Sequence, residues 1–290
     1  MKTFHLLLLI IPLLFVVDAS ASETVVLQQE GKPLARYRFG AVPFKPYIDE
    51  LRTPSGKNIL DDAPADHVHH HGLMYAIRVG GCNFWEEANA TFGKQVTVQI
   101  RHAGNVVTSE IDWDAPESKT LLKENREIGV KQENGITLLD WQSIFTAEID
   151  TVLGDMGAGH YHGLGMRFDA TMHKGGRFFS DTGNHDGEIV RGSERLTPRR
   201  WMAFAAKLQG EAVTVAMFDH PSNPVPMLLY TTGEATGSGV FSYMSATVDL
   251  YRKVIPLKAG QTFAVKYRVA VWDGEIPPEA VEKAYRDFVR

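Results

Sequence analysis

Cysteine is almost absent from this sequence. Cys82 is the single cysteine among 290 residues, so no disulfide can form within the chain. Stability must therefore come from a packed core, and 44% hydrophobic residues in a chain of this length can build one. We expect Cys82 to be a small buried side chain, although nearby histidines could instead activate it as a nucleophile.

An excess of charge of one sign is also missing. Lys and Arg together number 30 and Asp and Glu number 35, which gives a formal net charge of −5. A mildly acidic chain of this kind lacks the basic footprint that binds nucleic acids and anionic membrane surfaces. Neither class of partner is therefore expected.

Long apolar runs are limited to the amino terminus. Lys2 precedes an apolar run over residues 6–17, and the small-x-small triplet of residues 19–21 follows it. A run of 12 residues is too short to span a bilayer, which needs about 20, and this order is typical of a secretory signal peptide. We therefore predict a signal peptide over residues 1–21, a secreted or periplasmic location, one β-sandwich domain over residues 22–290, and no stable membrane insertion after cleavage.

Helical periodicity is scarce as well. Apolar and polar residues instead alternate with a period of two, as in residues 107–114, 213–217 and 262–271. Asn134-Gly135 separates two such runs and is typical of a hairpin turn. Helical spacing is clear only over residues 279–289, after two prolines. The sequence predicts an all-β fold, a large β-sandwich with a short carboxy-terminal helix.

Histidine is the residue type that most strongly indicates chemistry. Four of the 11 histidines lie within five positions, at His67, His69, His70 and His71. In an extended segment His67, His69 and His71 would share one face, and the fourth would point to the other. Imidazoles on one face could act as general acids and bases, hydrogen-bond a polar ligand or bind a divalent metal. A surface loop with a chance run of histidines is the alternative.

Two further groups combine histidine with charged or amide side chains. The first consists of His162 and Arg167, and the second of Asp219, His220 and Asn223. His185, in another glycine-bounded loop, is a weaker candidate for a functional residue. The arginine could be a solvated surface charge or a clamp for carboxylates and hydroxyls. The Asp-His pair follows a strand-like run, where active-site residues often lie, although an Asx turn would use the same side chains.

The standard catalytic signatures are missing. The sequence contains no His-Glu-x-x-His, Gly-x-Ser-x-Gly, phosphate-loop or dinucleotide-binding motif, and no His-x-Asp or His-x-Glu pair. Zinc proteases, α/β-hydrolases and nicotinamide-dependent enzymes are therefore disfavoured. Glu86 and Glu87, which follow Trp85, are candidate carboxylates, but no clear glycosidase pair is visible.

Several short motifs occur in order over most of the predicted mature chain. They are Lys45-Pro46-Tyr47, Thr53-Pro54-Ser55-Gly56, Asp66-His67-x-His69-His70-x-Gly72-Leu73, Phe84-Trp85, Gly163-Leu164-Gly165-x-Arg167-Phe168, His220-Pro221-Ser222-Asn223, Tyr267-Arg268-Val269 and Asp273-Gly274. With these motifs the chain resembles the PmoA-like family, whose function is largely uncharacterised. It departs from that family at His71, where many members carry arginine. That departure implies a different ligand if the arginine holds the substrate.

The resemblance implies a galactose-mutarotase-like β-supersandwich, a fold associated with sugar epimerases, glycoside hydrolases and polysaccharide lyases. The family label alludes to a membrane methane oxygenase, and this function is disfavoured. Such a subunit needs several spans of about 20 apolar residues, because backbone polar groups must be satisfied inside lipid. A shared fold does not by itself establish a shared function.

Two classes of function are compatible with these residues. The first is an exported carbohydrate-active hydrolase, lyase or epimerase that acts on a glycoside or modified sugar by His/Asp acid–base chemistry. Its catalytic candidates are His67, His69, His70, His162, Asp219 and His220, and its substrate-binding candidates are Arg167, Asn223, Trp85, Tyr75, His71 and His185. The second is a non-catalytic glycan-binding β-sandwich. No cofactor is predicted, with a divalent metal on His67, His69 and His71 as the alternative.

Overall fold

Extended strands make up most of the fold. The computed structural model of the protein describes residues 15–16, 23–40, 42, 44–87, 91–155, 162–232, 241–250 and 252–290. The strands in the first half are β1 (Phe15–Val16), β2 (Thr24–Gln29), β3 (Lys32–Arg38), β4 (Tyr47–Leu51), β5 (Leu73–Ala76), β6 (Arg78–Val79), β7 (Cys82–Asn83), β8 (Lys94–Ala103), β9 (Val106–Ala115), β10 (Lys119–Glu133) and β11 (Ile136–Ala147).

The second half continues in the same manner and ends in a helix. Its strands are β12 (Thr151–Leu153), β13 (Gly163–Arg167), β14 (Arg177–Ser180), β15 (Glu188–Arg191), β16 (Glu194–Pro198), β17 (Trp201–Leu208), β18 (Glu211–Asp219), β19 (Leu228–Thr232), β20 (Tyr243–Ala246), β21 (Ile255–Leu257) and β22 (Thr262–Asp273). Helix α1 covers Pro278–Val289, and 3₁₀ turns lie at Pro116–Ser118 and Ala170–Met172. Except for the two residues of β1, the predicted signal peptide lies outside the described residues, and export stays a prediction.

The strands form two large antiparallel sheets and one small sheet. Sheet I has the order β1-β8-β9-β10-β11-β22-β18-β17-β14, and sheet II has the order β15-β16-β19-β20-β13-β5-β4-β3-β2. The small sheet has the order β21-β12-β6-β7. Inward-facing side chains of sheets I and II form one shared hydrophobic cluster, so the two sheets pack face to face. The predicted all-β sandwich with a carboxy-terminal helix is confirmed.

The hairpin predicted at Asn134-Gly135 is also present. Strands β10 and β11 pair residue by residue from Glu133↔Ile136 outward to Leu122↔Ala147. The two turn residues have φ values of +51° and +74°. Both central positions of a type I′ turn need left-handed backbone, which asparagine and glycine tolerate better than other residues.

A polar network lies inside the sandwich. Arg126 and Glu124 project inward from β10, and both side chains are 0% exposed. The Arg126 guanidinium donates through Nε and Nη2 to Glu124, through Nη2 to Gln95, and through Nη1 to the carbonyl of Pro46. The Trp113 indole N–H donates to the same carboxylate. The network fixes the chain immediately before β4, which borders the site described below.

The outer faces of the two sheets differ. On sheet I the outer face is covered by α1, whose Val281, Ala284, Tyr285 and Phe288 pack against strands β17, β18 and β22. On sheet II the outer face carries an aromatic cluster that includes Tyr47, Trp85, Tyr230, Phe241 and Tyr243. Among the described residues, no helix has both the length and the apolar character needed to cross a membrane.

Candidate functional site

The histidine run lies over the outer face of sheet II as two successive turns. The backbone N–H of His67 donates to the Pro64 carbonyl, and that of His70 donates to the His67 carbonyl, each at 2.9 Å. These turns bring His67, His69 and His70 together. The rings of His67 and His70 stack with centroids 4.6 Å apart, and the His69 ring meets the His70 ring edge-on with centroids 4.7 Å apart. We call these three side chains the imidazole cluster.

The expected grouping of the four histidines is therefore wrong. The prediction assumed extended backbone, whereas the turns place His70 with the cluster and direct His71 elsewhere. The His71 ring stacks on Tyr47 at 4.4 Å, with Nδ1 2.7 Å from the Asp62 carboxylate and Nε2 3.0 Å from that of Glu87. With both nitrogens engaged by carboxylates, His71 cannot complete a metal site with His67 and His69. In the part of the chain that the structure describes, no three His, Cys, Asp or Glu side chains are placed to hold a metal ion.

Arg167, at the end of β13, is tied to the cluster by Asp66. Its Nη2 donates to both carboxylate oxygens of Asp66, at 3.0 and 2.7 Å, and one of those oxygens lies 2.9 Å from His67 Nδ1. The guanidinium also lies 4.2 Å from the centroid of the Phe241 ring. Arg167 Nε and Nη1 are buried without a hydrogen-bond partner among the described residues. Asp66 thus fixes the arginine by one nitrogen and leaves two donor groups unused.

Burial sets the protonation of the cluster. It lowers the pKa of His70 well below the usual value, and the neighbouring His69 and His67 lower it further. Burial also lowers the pKa of His69, although the Glu86 carboxylate, 3.4 Å from its Nδ1, opposes that shift. Both imidazoles are therefore neutral at pH 7, with one donor and one acceptor nitrogen each.

Asp66 behaves in the opposite way. Partial burial disfavours its charged form, but the hydrogen bonds from Arg167 and His67 outweigh burial and lower its pKa to about 2. The carboxylate is thus negative over the whole physiological range. The site combines a permanent Arg–Asp pair with the neutral imidazoles of His69 and His70, which can act as proton acceptors.

Aromatic side chains wall the cluster. The His70 ring lies 5.3 Å from Tyr243 and 6.0 Å from Trp85, centroid to centroid. Tyr243 stands on β20 beside β13, and a Cβ atom at Gly165 would come within 1.7 Å of its hydroxyl oxygen. Only glycine therefore permits Tyr243 to lie across β13 at this point. Because Trp85 is nearly buried, it serves as a wall of the site and offers little exposed ring for stacking.

A second charged group supports the wall. Lys45 is fully buried, with Nζ 2.8 Å from the Glu87 carboxylate and donating to the Trp85 carbonyl at 2.6 Å. Burial disfavours the charged form of His71, yet its hydrogen bonds to Asp62 and Glu87 raise its pKa. In turn, the His71 hydrogen bond and Lys45 lower the pKa of Glu87 despite its burial. The result is a chain of alternating charges beside the neutral rings of His69 and His70.

The structure does not bring the third predicted group to this site. Asp219 accepts hydrogen bonds from the Asn223 side chain at 2.6 Å and from the Met227 backbone at 3.1 Å. His220 Nδ1 lies 2.7 Å from the hydroxyl oxygen of Ser222, and its ring packs on α1. These residues organise the loop after β18 in sheet I. The candidates Asp219, His220 and Asn223 therefore do not join the histidine run in one site, and the turn that the sequence offered as the alternative is what forms.

Two other predicted residues, His185 and Tyr75, also lie apart from the cluster. His162 is buried and immediately precedes β13. His185 Nε2 lies 2.6 Å from the Thr231 hydroxyl, and burial lowers the pKa of this imidazole to about 4. Tyr75 points into the core between the sheets and cannot stack on a ligand, contrary to expectation. Cys82 is half-buried, and burial raises its pKa, which argues against a nucleophile.

Sequence reasoning missed several residues of the site. Phe241 and Tyr243 were not predicted, because they follow a glycine-rich stretch with no strand-like alternation. His173 was also missed; its Nδ1 accepts the Ser242 backbone N–H at 3.1 Å, and burial together with Arg167 lowers its pKa to about 4. Asp66 had a usable signal, since it directly precedes the histidine run.

Residues 24–286 match the model of a family of unknown function, DUF6807. The chain belongs to this family. No curated protein matches the sequence significantly. The family match does not support the PmoA-like label that the sequence resemblance carried.

One solved structure supports the galactose-mutarotase-like part of that resemblance, and two others are also similar to this chain. A galactose mutarotase related enzyme from Lactobacillus acidophilus aligns with 87% of this chain and 100% of its own, at 7% identity and a TM-score of 0.50. A putative aldose 1-epimerase from Escherichia coli K12 aligns over 86% and 99% of the two chains, at 9% identity and a TM-score of 0.46. An α-galactosidase from Geobacillus stearothermophilus, in complex with raffinose, has 12% identity and a TM-score of 0.38, with 77% of this chain aligned. This chain spans only 29% of that protein. The fold is galactose-mutarotase-like.

Proposed function

We propose that the protein is a carbohydrate-active enzyme that acts on a glycoside or a modified sugar at the imidazole cluster. The observation that carries the proposal is the joining of three imidazoles to a buried arginine with two unused donor groups, on the outer face of sheet II. The similar Lactobacillus acidophilus protein is named as a galactose mutarotase related enzyme, which supports a sugar as the ligand. We further propose that the protein is exported, because residues 1–21 have the pattern of a signal peptide.

Ligand binding follows from the donors and acceptors of the site. Sugar hydroxyls both donate and accept hydrogen bonds, and the neutral His69 imidazole offers Nε2 as an acceptor, because its Nδ1 faces Glu86. Arg167 adds the two donors that Asp66 leaves unused. Trp85 and Tyr243 are nearly buried and pack around His70, so they hold the cluster in place.

The chemistry we propose is proton transfer by His69. This imidazole is neutral at pH 7, and its Nδ1 faces the Glu86 carboxylate, so Nε2 is the nitrogen left to exchange a proton with the sugar. When Nε2 takes a proton, Glu86 stabilises the imidazolium that forms. The Arg167 donors stabilise the negative charge that develops on the sugar oxygen. Epimerisation, elimination and hydrolysis all require such a step.

A panel of glycosides, with detection of products, tests the proposal. Replacing His69→Gln or His70→Gln should lower turnover by about 100-fold or more while leaving the protein folded, as the loss of a general acid–base group does. His102→Gln is the matched control, because His102 lies on β8 of sheet I and bonds only to a local carbonyl in the described structure. Unchanged turnover in both cluster variants would contradict the proposal. Saccharide binding without any product would favour the glycan-binding alternative.

A further inference from the structure

A cavity of about 320 Å³ adjoins the imidazole cluster on the side of His69. Its lining is mostly apolar, with two histidine–glutamate pairs at one side. The apolar lining consists of Val42, Phe44, Ala63 and Val68. His69 lines this cavity and also belongs to the cluster, so the cavity adjoins the cluster at that ring.

The apolar walls are unusually open to solvent. Val68 is 62% exposed although it stands between two turns of the histidine run, and Phe44 is only partly buried. Exposed apolar side chains that line a concave space next to a polar site often mark ligand-binding surface. A hydroxylated sugar ring gains little from such walls, whereas an apolar substituent on the sugar buries its surface there.

We propose that this cavity binds an aromatic aglycone of a glycoside whose sugar ring lies at the imidazole cluster; the proposal rests on the function proposed above. The volume accommodates a substituted aromatic ring, and the Phe44 ring offers an aromatic partner. Glu87 is compensated by direct contacts with Lys45 and His71, whereas the ion-pair contact of Glu86 within the described residues is with the neutral His69. The cavity therefore selects neutral or hydroxylated aromatic groups and disfavours anionic ones.

The test compares phenyl and methyl 1-thioglycosides of the same sugars, which differ only in the group that the cavity would hold. Dissociation constants are measured by calorimetry on the full protein. The phenyl compound should bind about tenfold more tightly than its methyl counterpart, because it buries additional apolar surface. Phe44→Ala and Val68→Ser should each reduce that preference by about threefold, without changing the affinity for the methyl compound.

Val98→Ser is the matched control, because Val98 is 54% exposed on β8 and lies outside the cavity. It should leave both affinities unchanged. Equal binding of phenyl and methyl compounds by the wild type would overturn the proposal, as would a preference that survives in both cavity variants. If no thioglycoside of either kind binds, the proposed function itself fails, and the methyl arm of the experiment reveals this.

Discussion

Arg126 and Arg167 are both buried arginines paired with a carboxylate, yet their surroundings differ. All three nitrogens of Arg126 donate hydrogen bonds, to Glu124, Gln95 and a backbone carbonyl, and its partner is equally buried. Arg167 uses one nitrogen, and the side chain of its partner Asp66 is 39% exposed. A fully satisfied buried pair is a structural element, whereas a buried cation with unused donors can still gain from a ligand.

The histidines divide in the same way. His185 and His220 each have a local hydroxyl within hydrogen-bonding distance, and each belongs to a loop that this contact organises. The rings of the imidazole cluster contact mainly one another, aromatic walls and carboxylates. A histidine that looks catalytic in the sequence therefore has a structural role when its ring nitrogens are hydrogen-bonded to neighbouring side chains. The comparison of these regions can be tested.

The largest expected effect concerns the interior pair. Arg126→Met should lower the free energy of unfolding by about 3–5 kcal/mol, because it leaves the Glu124 charge buried without its partner. Urea-induced unfolding measures this change. The double variant Arg126→Met/Glu124→Leu should recover most of the loss, since both charges are then removed. A loss below about 1 kcal/mol in the single variant would show that the pair is not the structural element described.

A smaller effect, dependent on pH, is expected at His71. Hydrogen bonds to Asp62 and Glu87 raise its pKa in the folded state above the usual 6.5, despite burial. The stabilisation from protonated His71 is therefore complete below pH 6.5 and is lost as the pH rises through the raised pKa. His71→Gln should cost about 1–3 kcal/mol at low pH, and the difference from the wild type should shrink at alkaline pH. The free energy of unfolding of both proteins, measured across the pH range, tests this. A difference between them that stayed constant or grew as the pH rises would contradict the prediction.

The fold was largely predictable from the sequence, because a strand with only one face buried alternates apolar and polar residues. Sheet I shows this alternation of buried and exposed residues clearly, for example in β9 and β10. Asn134-Gly135 correctly marked the hairpin turn between β10 and β11. Sheet II is covered on both faces near the site, so every described residue of β5, β13 and β20 is buried. Alternation is lost there, and the sequence could not show which face carries the candidate site.

The site was predictable only where its residues are neighbours in the chain. The histidine run identified the cluster, but two turns rather than extended backbone determine which rings meet. The contact between Asp66 and Arg167 joins residues 101 positions apart, and no local pattern encodes it. Asp219 and His220 have the right chemistry at a strand end, but the loop uses that chemistry to satisfy its own backbone and side chains.

The most direct test of the central claim is the stabilisation of Arg167→Met by a thioglycoside that binds the wild type. Without ligand, the variant should lose about 1 kcal/mol or less, because its partner Asp66 remains in contact with solvent. At a ligand concentration 100 times the wild-type dissociation constant, the wild type should gain about 2.7 kcal/mol in unfolding free energy. The variant should gain less than half of this. An undiminished gain would show that Arg167 does not bind the ligand and would contradict the proposed site.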